Sequence, residues 1–235
     1  MGMVILTVSP IIEEREMFFH EPGELHSPTL LIVPGLNNSG PRHWQSIWER
    51  ERTDCQRVDL GMWEQPHRNT WVNKLNAAIS AAKRPVILVA HSLGCHAVAW
   101  WNALERPGPD GKVAGALLVA PPALEGHGVD SRLADFAPVA RERLPFLSIL
   151  AASQDDPYAS FGQARKMARI WGSRLVDAGW IGHINADSNI GNWPYGRYLL
   201  DRLLAAVAPT PAAAAQGASA SFFSSTQNER LEIGR

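Results

Sequence analysis

Cysteine is almost missing from this 235-residue chain, which has only Cys55 and Cys95. Two cysteines with no CxxC pair exclude a disulfide scaffold and give no zinc-finger spacing. They read as ordinary thiols. An excess of charge of one sign is also lacking. Lys and Arg total 22 against 23 Asp and Glu, for a formal charge of −1. That balance offers no footprint for a nucleic-acid backbone or an anionic bilayer. No apolar run approaches the roughly 18 to 20 residues of a membrane helix. The stretch from Met1 to Phe19 has an apolar patch, Val4 to Val8, but no basic residue before it and acidic residues soon after. It makes a poor signal peptide, so a cytoplasmic, reducing setting is expected. What is present is ordinary for a globular chain: 46% hydrophobic residues, enough for a real core in one domain.

The chain divides in three. Residues 1–28 form an N-terminal extension that ends in a turn-rich stretch around Pro22, Gly23 and Pro28. Residues 208–235 are rich in Ala and Ser and read as a flexible tail, because small side chains bury too little area to offset ordering entropy. Between them, 29–207 alternates strand and helix patterns. Thr29 to Val33 is an unalternated apolar run that suits a strand buried on both faces. A helix is expected over His43–Arg52, a strand over Cys55–Leu60 and a helix over Asn69–Ala82. The strongest strand is Pro85–Ala90, followed by a helix over Gly94–Leu104. Strands over Ala114–Ala120 and Phe146–Ala152, a helix over Phe161–Trp171, a strand over Arg174–Val176 and a helix over Pro194–Val207 complete the pattern. The alternation predicts an α/β fold, a doubly wound, mostly parallel sheet with helices on both faces. Pro121 to Pro145 spans 25 residues. A crossover helix with its loops needs at least about 10 to 12 of them, so only a minimal cap is expected.

The chemistry-bearing motif follows the strongest strand. Ala90-His91-Ser92-Leu93-Gly94 has the strand–turn–helix context of a nucleophile elbow, with Ala90 in place of the usual first glycine. The elbow puts the Ser92 hydroxyl at the carboxyl edge of the sheet and the Leu93 N–H at a helix N-terminus. A Ser that merely caps the helix would read the same way in isolation. The rest of the chain supplies an acid and a base in the order Ser, Asp, His. Asp155 and Asp156 follow one strand, and His183 lies in a Gly-flanked loop after the last. Each lies past a strand's carboxyl end, beside the elbow.

These pieces resemble the small serine hydrolases of the α/β-hydrolase superfamily, the group of retinoblastoma-binding protein nine and the YdeN proteins. The resemblance rests on Ile32-Val33-Pro34-Gly35 with His43-Trp44, on His91-Ser92-Leu93-Gly94, on Ser153-Gln154-Asp155-Asp156-Pro157 and on Gly182-His183, and spans about 29–205. It implies Ser92 as nucleophile, Asp156 as acid and His183 as base. A Ser hydroxyl needs a base to take its proton, imidazole can do so, and a carboxylate holds the imidazole tautomer. The oxyanion is then expected to meet the Leu93 N–H and the Leu36 N–H.

The expected reaction is cleavage of a small-molecule ester, or an amide, through an acyl-serine, with no cofactor and no metal. No nucleic-acid or membrane partner is expected, and no protein partner is indicated. Two alternatives remain: a catalytically silent protein-binding module on the same fold, and an acyltransferase with the same triad. Trp44, Trp48, Trp100 and Trp101 fall on helices and read as core. Trp63 and Trp180 fall in loops near the active edge and are expected to line the pocket. Asn37 suits either a pocket polar group or, with Asn38, a left-handed turn. His91, adjacent to Ser92, is expected to point away, and His96 has no third metal ligand spaced for it.

Overall fold

Six parallel strands in the order β2-β1-β3-β4-β5-β6 form the centre of the molecule. The structure is a computed structural model and describes residues 27–126 and 128–208. The expectations for 1–26 and 209–235 lie outside the described residues. The strands are β1 (Thr29–Val33), β2 (Cys55–Arg57), β3 (Val86–His91), β4 (Val113–Val119), β5 (Leu147–Ala152) and β6 (Arg174–Asp177). The helices are α1 (Trp44–Glu51), α2 (Arg68–Ala81), α3 (Leu93–Glu105), α4 (Phe161–Trp171) and α5 (Pro194–Val207). The doubly wound parallel sheet is therefore present.

The central strands are buried on both faces, and their side chains alternate between two cores. Leu31, Val33, Leu88 and Ala90 face α2, α3 and α4. Leu30, Ile32, Ile87 and Val89 face the Trp44 and Trp48 indoles of α1 and the leucines of α5. The strand order reverses at β1. The chain goes outward to β2, then returns to lay β3 on the other side of β1. Loops leaving the carboxyl ends of β1 and β3 therefore part there and leave a crevice, the usual ligand position in such sheets.

Two expectations need correction. The strand over Cys55–Leu60 ends at Arg57, although Val58 N–H still donates to Ile32 O at 2.9 Å. More important, the connection from β4 to β5 has no α-helix among the described residues. It holds only a 3-10 turn, Ser131–Phe136, capped by Asp130. Gly126 and Gly128, with φ of 117° and 80°, and Pro138 interrupt any helical run there. The segment is instead pinned by indole N–H groups. Trp100 donates to Phe136 O at 2.7 Å and Trp171 to Ala140 O at 2.9 Å. Leu124, Leu133, Phe136 and Leu144 cover the sheet where a helix would have done so.

Candidate active site

At the end of β3 the backbone turns sharply: Ser92 has φ 54° and ψ −127° before α3 begins at Leu93. Such strain needs close packing to hold it. Two glycines allow that packing. A Cβ on Gly94 would lie 2.3 Å from Val33 O and 2.6 Å from Pro34 O, so α3 could not approach β1. A Cβ on Gly35 would lie 2.8 Å from Ser92 Cβ and 3.1 Å from Leu93 N, crowding the turn and that N–H.

Ser92 Oγ is 2.9 Å from His183 Nε2. His183 Nδ1 is 2.9 and 3.0 Å from the two oxygens of Asp156. A carboxylate at Nδ1 takes that N–H and leaves Nε2 free to accept from the Ser92 hydroxyl. Asp156 Oδ1 also accepts from the Tyr158 N–H at 2.9 Å. Asp155 turns elsewhere. It accepts from the Gly182 N–H at 2.9 Å and from the Ser153 hydroxyl at 2.7 Å. The Ser153 hydroxyl, and then the Gly182 N–H, hold its carboxyl below the usual range. The two neighbouring carboxylates therefore divide between the imidazole and the loop that carries it.

That loop is tied down from three more directions. Ile181 N–H donates to Ser153 Oγ at 3.0 Å, and Trp44 Nε1–H to Ile184 O at 2.8 Å. His91 Nε2–H donates to His183 O at 2.9 Å. His91 does not point away from the site: its ring lies 4.9 Å from the His183 ring and 4.7 Å from that of His43. Burial pushes His91 well below the usual histidine value, with His43 and His183 adding to the effect. Burial, with Arg57 nearby, pushes His43 down to about 3. His43 Nδ1 accepts from the Gln45 N–H at 3.1 Å, so its proton sits on Nε2. That Nε2 is buried with no partner among the described residues. The His91 and His43 rings are thus both neutral and place no charge on this side of His183.

The turn after β1 brings Leu36 to the same space. Arg57 holds this turn through Asn38 Oδ1 and Ser39 O, both at 2.9 Å. Asn37 and Asn38 have φ of 64° and 62°, the left-handed region that asparagine tolerates. Asn37 N–H is committed to Trp63 O at 2.8 Å. Leu36 and Asn37 both line a cavity of about 320 Å³ over Ser92 and His183. Its remaining wall is mixed, with Arg132, Asn185 and Asp187 beside Tyr158 and Leu133.

Trp63 and Trp180 do not line this cavity. Trp63 packs edge-on against Trp71 at 5.7 Å, and Trp180 is 76% exposed on the turn before His183. Loop position placed them near the active edge, but neither indole turns inward. Tyr158, His43 and Arg132 were not anticipated. His43 stood in the quoted His-Trp pair, and Tyr158 two residues beyond Asp156 in the same loop. Arg132 was hidden because its segment was expected to be a crossover helix. Cys95 is fully buried and its thiol is pushed up by desolvation, and Cys55 is pushed up to about 12 for the same reason. Neither competes as a nucleophile. Among the described residues, no cluster of His, Cys, Asp and Glu could hold a metal ion, and no helix is long and apolar enough to cross a membrane.

The serine hydrolase family model matches residues 30–202 of this sequence. The chain belongs to the serine hydrolase family. A YdeN-like hydrolase from Pectobacterium atrosepticum is 35% identical, with a TM-score of 0.67 over 78% of this chain and 94% of that one. The ydeN gene product from B. subtilis shares the fold at 21% identity, with a TM-score of 0.62 over 76% of this chain and 99% of that one. Est1E from Butyrivibrio proteoclasticus shares it at 12% identity, with a TM-score of 0.54 over 77% of this chain and 90% of that one. No curated protein matches the sequence. In this serine hydrolase the strained Ser92 turn stands at the switch point of the sheet.

Proposed function

We propose that this hydrolase cleaves a small carboxylic ester, or an amide, through an acyl-Ser92 intermediate. The observation that carries the reading is the unbroken path from Ser92 Oγ through His183 to Asp156, with both steps at 2.9 Å. In this reading His183 Nε2 takes the Ser92 proton as the oxygen attacks the carbonyl carbon. Asp156 holds the tautomer and stabilises the imidazolium. The Leu93 and Leu36 N–H groups receive the oxyanion, and Gly35 keeps the first of them uncrowded. Collapse of the adduct expels the alcohol with the proton from Nε2. Water then repeats the sequence to free the acid. A cavity of about 320 Å³ lies at the small end of ligand pockets and favours a compact substrate. The two free thiols fit action in a reducing cytoplasm.

Hydrolysis of 4-nitrophenyl acetate by the purified protein tests this reading. Turnover in the wild type and its loss in a folded Ser92→Ala variant are expected. Undiminished turnover in that variant would refute it.

A further inference from the structure

Acyl transfer to Ser92 sets three directions in the cavity at once. Ser92 Oγ bonds to the carbonyl carbon, and its proton passes to His183 Nε2. The carbonyl oxygen turns toward the Leu93 and Leu36 N–H groups. The bond from carbon to the leaving oxygen then breaks, and that oxygen takes the proton back from Nε2. The leaving oxygen must therefore stand within about 2.6 to 3.2 Å of Nε2. Whatever it carries must lie along the side chains beside the imidazole.

Among the described residues, His183 has two aromatic neighbours. One, His91, is buried and committed to the His183 carbonyl. The other, Tyr158, meets the imidazole edge-on at 4.5 Å and is 56% exposed. The Tyr158 backbone is held by its N–H bond to Asp156, and the ring rests against the imidazole although it faces solvent. Pro122, Leu133 and Tyr158 line both the Ser92 cavity and the cleft next to it. These three side chains make one continuous strip between the two, on the side where Tyr158 stands. Asp130 shares that strip, but its carboxylate is held by Arg132 at 2.6 Å.

We propose that Tyr158, with Pro122 and Leu133, is the leaving-group subsite, and that it favours a flat aryl alcohol over a small alkyl one. This rests on the hydrolase reading above. A ring offered face or edge to a second ring adds attraction beyond area burial, and a methyl group cannot use it.

Phenyl acetate and methyl acetate deliver the same acetyl group to Ser92 and differ only in the alcohol. Tyr158→Ala should lower kcat/KM for phenyl acetate about three- to tenfold more than for methyl acetate. Tyr158→Phe should keep the wild-type ratio, because the ring and not the hydroxyl is used. Equal losses on both esters would reduce Tyr158 to a support for His183 and overturn the subsite, as would an unchanged ratio in Tyr158→Ala. A wild-type protein that turns over neither ester, with no acyl group on Ser92, would overturn the hydrolase reading, and the subsite with it.

Discussion

Asp155 and Asp156 are adjacent in sequence, yet one meets the Gly182 N–H and the other the His183 imidazole. If Asp156 orients the base, Asp156→Asn should favour the wrong tautomer and lower kcat by on the order of 10⁴. Asp155→Asn keeps an acceptor oxygen for the Gly182 N–H and should cost far less. Steady-state rates on one activated ester compare the two, and equal losses or the reverse order would contradict the assignment. At this scale the sequence was legible where a residue had a fixed place relative to a strand end. Ser92, Asp156 and His183 each follow a strand, and the sheet brings such ends together. Trp63 and Trp180 also follow strands, but which way a loop indole turns depends on side-chain packing that strand position does not set. Trp63 found Trp71, and Trp180 found solvent. His91 was misjudged for a related reason. Its partner, the His183 carbonyl, lies 92 residues away.

Between single residues and the whole sheet stand the elements and their joints. The helix starts and strand cores were readable from apolar spacing, and Phe161–Trp171 and Pro194–Val207 match at both ends. The segment from β4 to β5 was not, because its order comes from indole bonds and buried side chains without helical periodicity. It still leaves too little chain for a large lid. Affinity for the acyl chain should stop growing early, since each further methylene would gain its roughly 0.8 kcal/mol only if buried. Along a 4-nitrophenyl ester series, kcat/KM should peak between acetyl and butyryl and fall by octanoyl. A steady rise to long chains would reveal a deep acyl tunnel. The joint between α3 and β1 gives a second expectation. Gly94→Ala forces a Cβ to 2.3 Å from Val33 O, and overpacking of that kind costs about 3 kcal/mol. Urea unfolding should show the loss, and an unchanged midpoint would mean the two elements can part freely.

Across the whole molecule, the strand alternation was enough to foresee a doubly wound sheet, and the switch at β1 explains why Leu36 and Ser92 meet. The fold also buries neutral histidines. His43 is held down at about 3 and His96 at about 4, both chiefly by desolvation, and His91 is lowered in the same way. An unfolded chain takes up these protons near the ordinary value of about 6.5, whereas the folded one refuses them. The unfolded state thus binds more protons, and stability rises with pH in that window. It should be fully present above about pH 6.5 and be lost progressively as pH falls toward 4 and 3. Each histidine adds a slope of about 1.4 kcal/mol per pH unit in that window. Urea midpoints constant from pH 6.5 to 4.5 would show that these rings protonate in place. The strained turn at Ser92 remains the point on which the functional account stands. Mass spectrometry of the protein after a fluorophosphonate probe should find a single adduct on the peptide carrying Ser92, absent from Ser92→Ala. An adduct on another residue, or labelling that survives in that variant, would contradict the account.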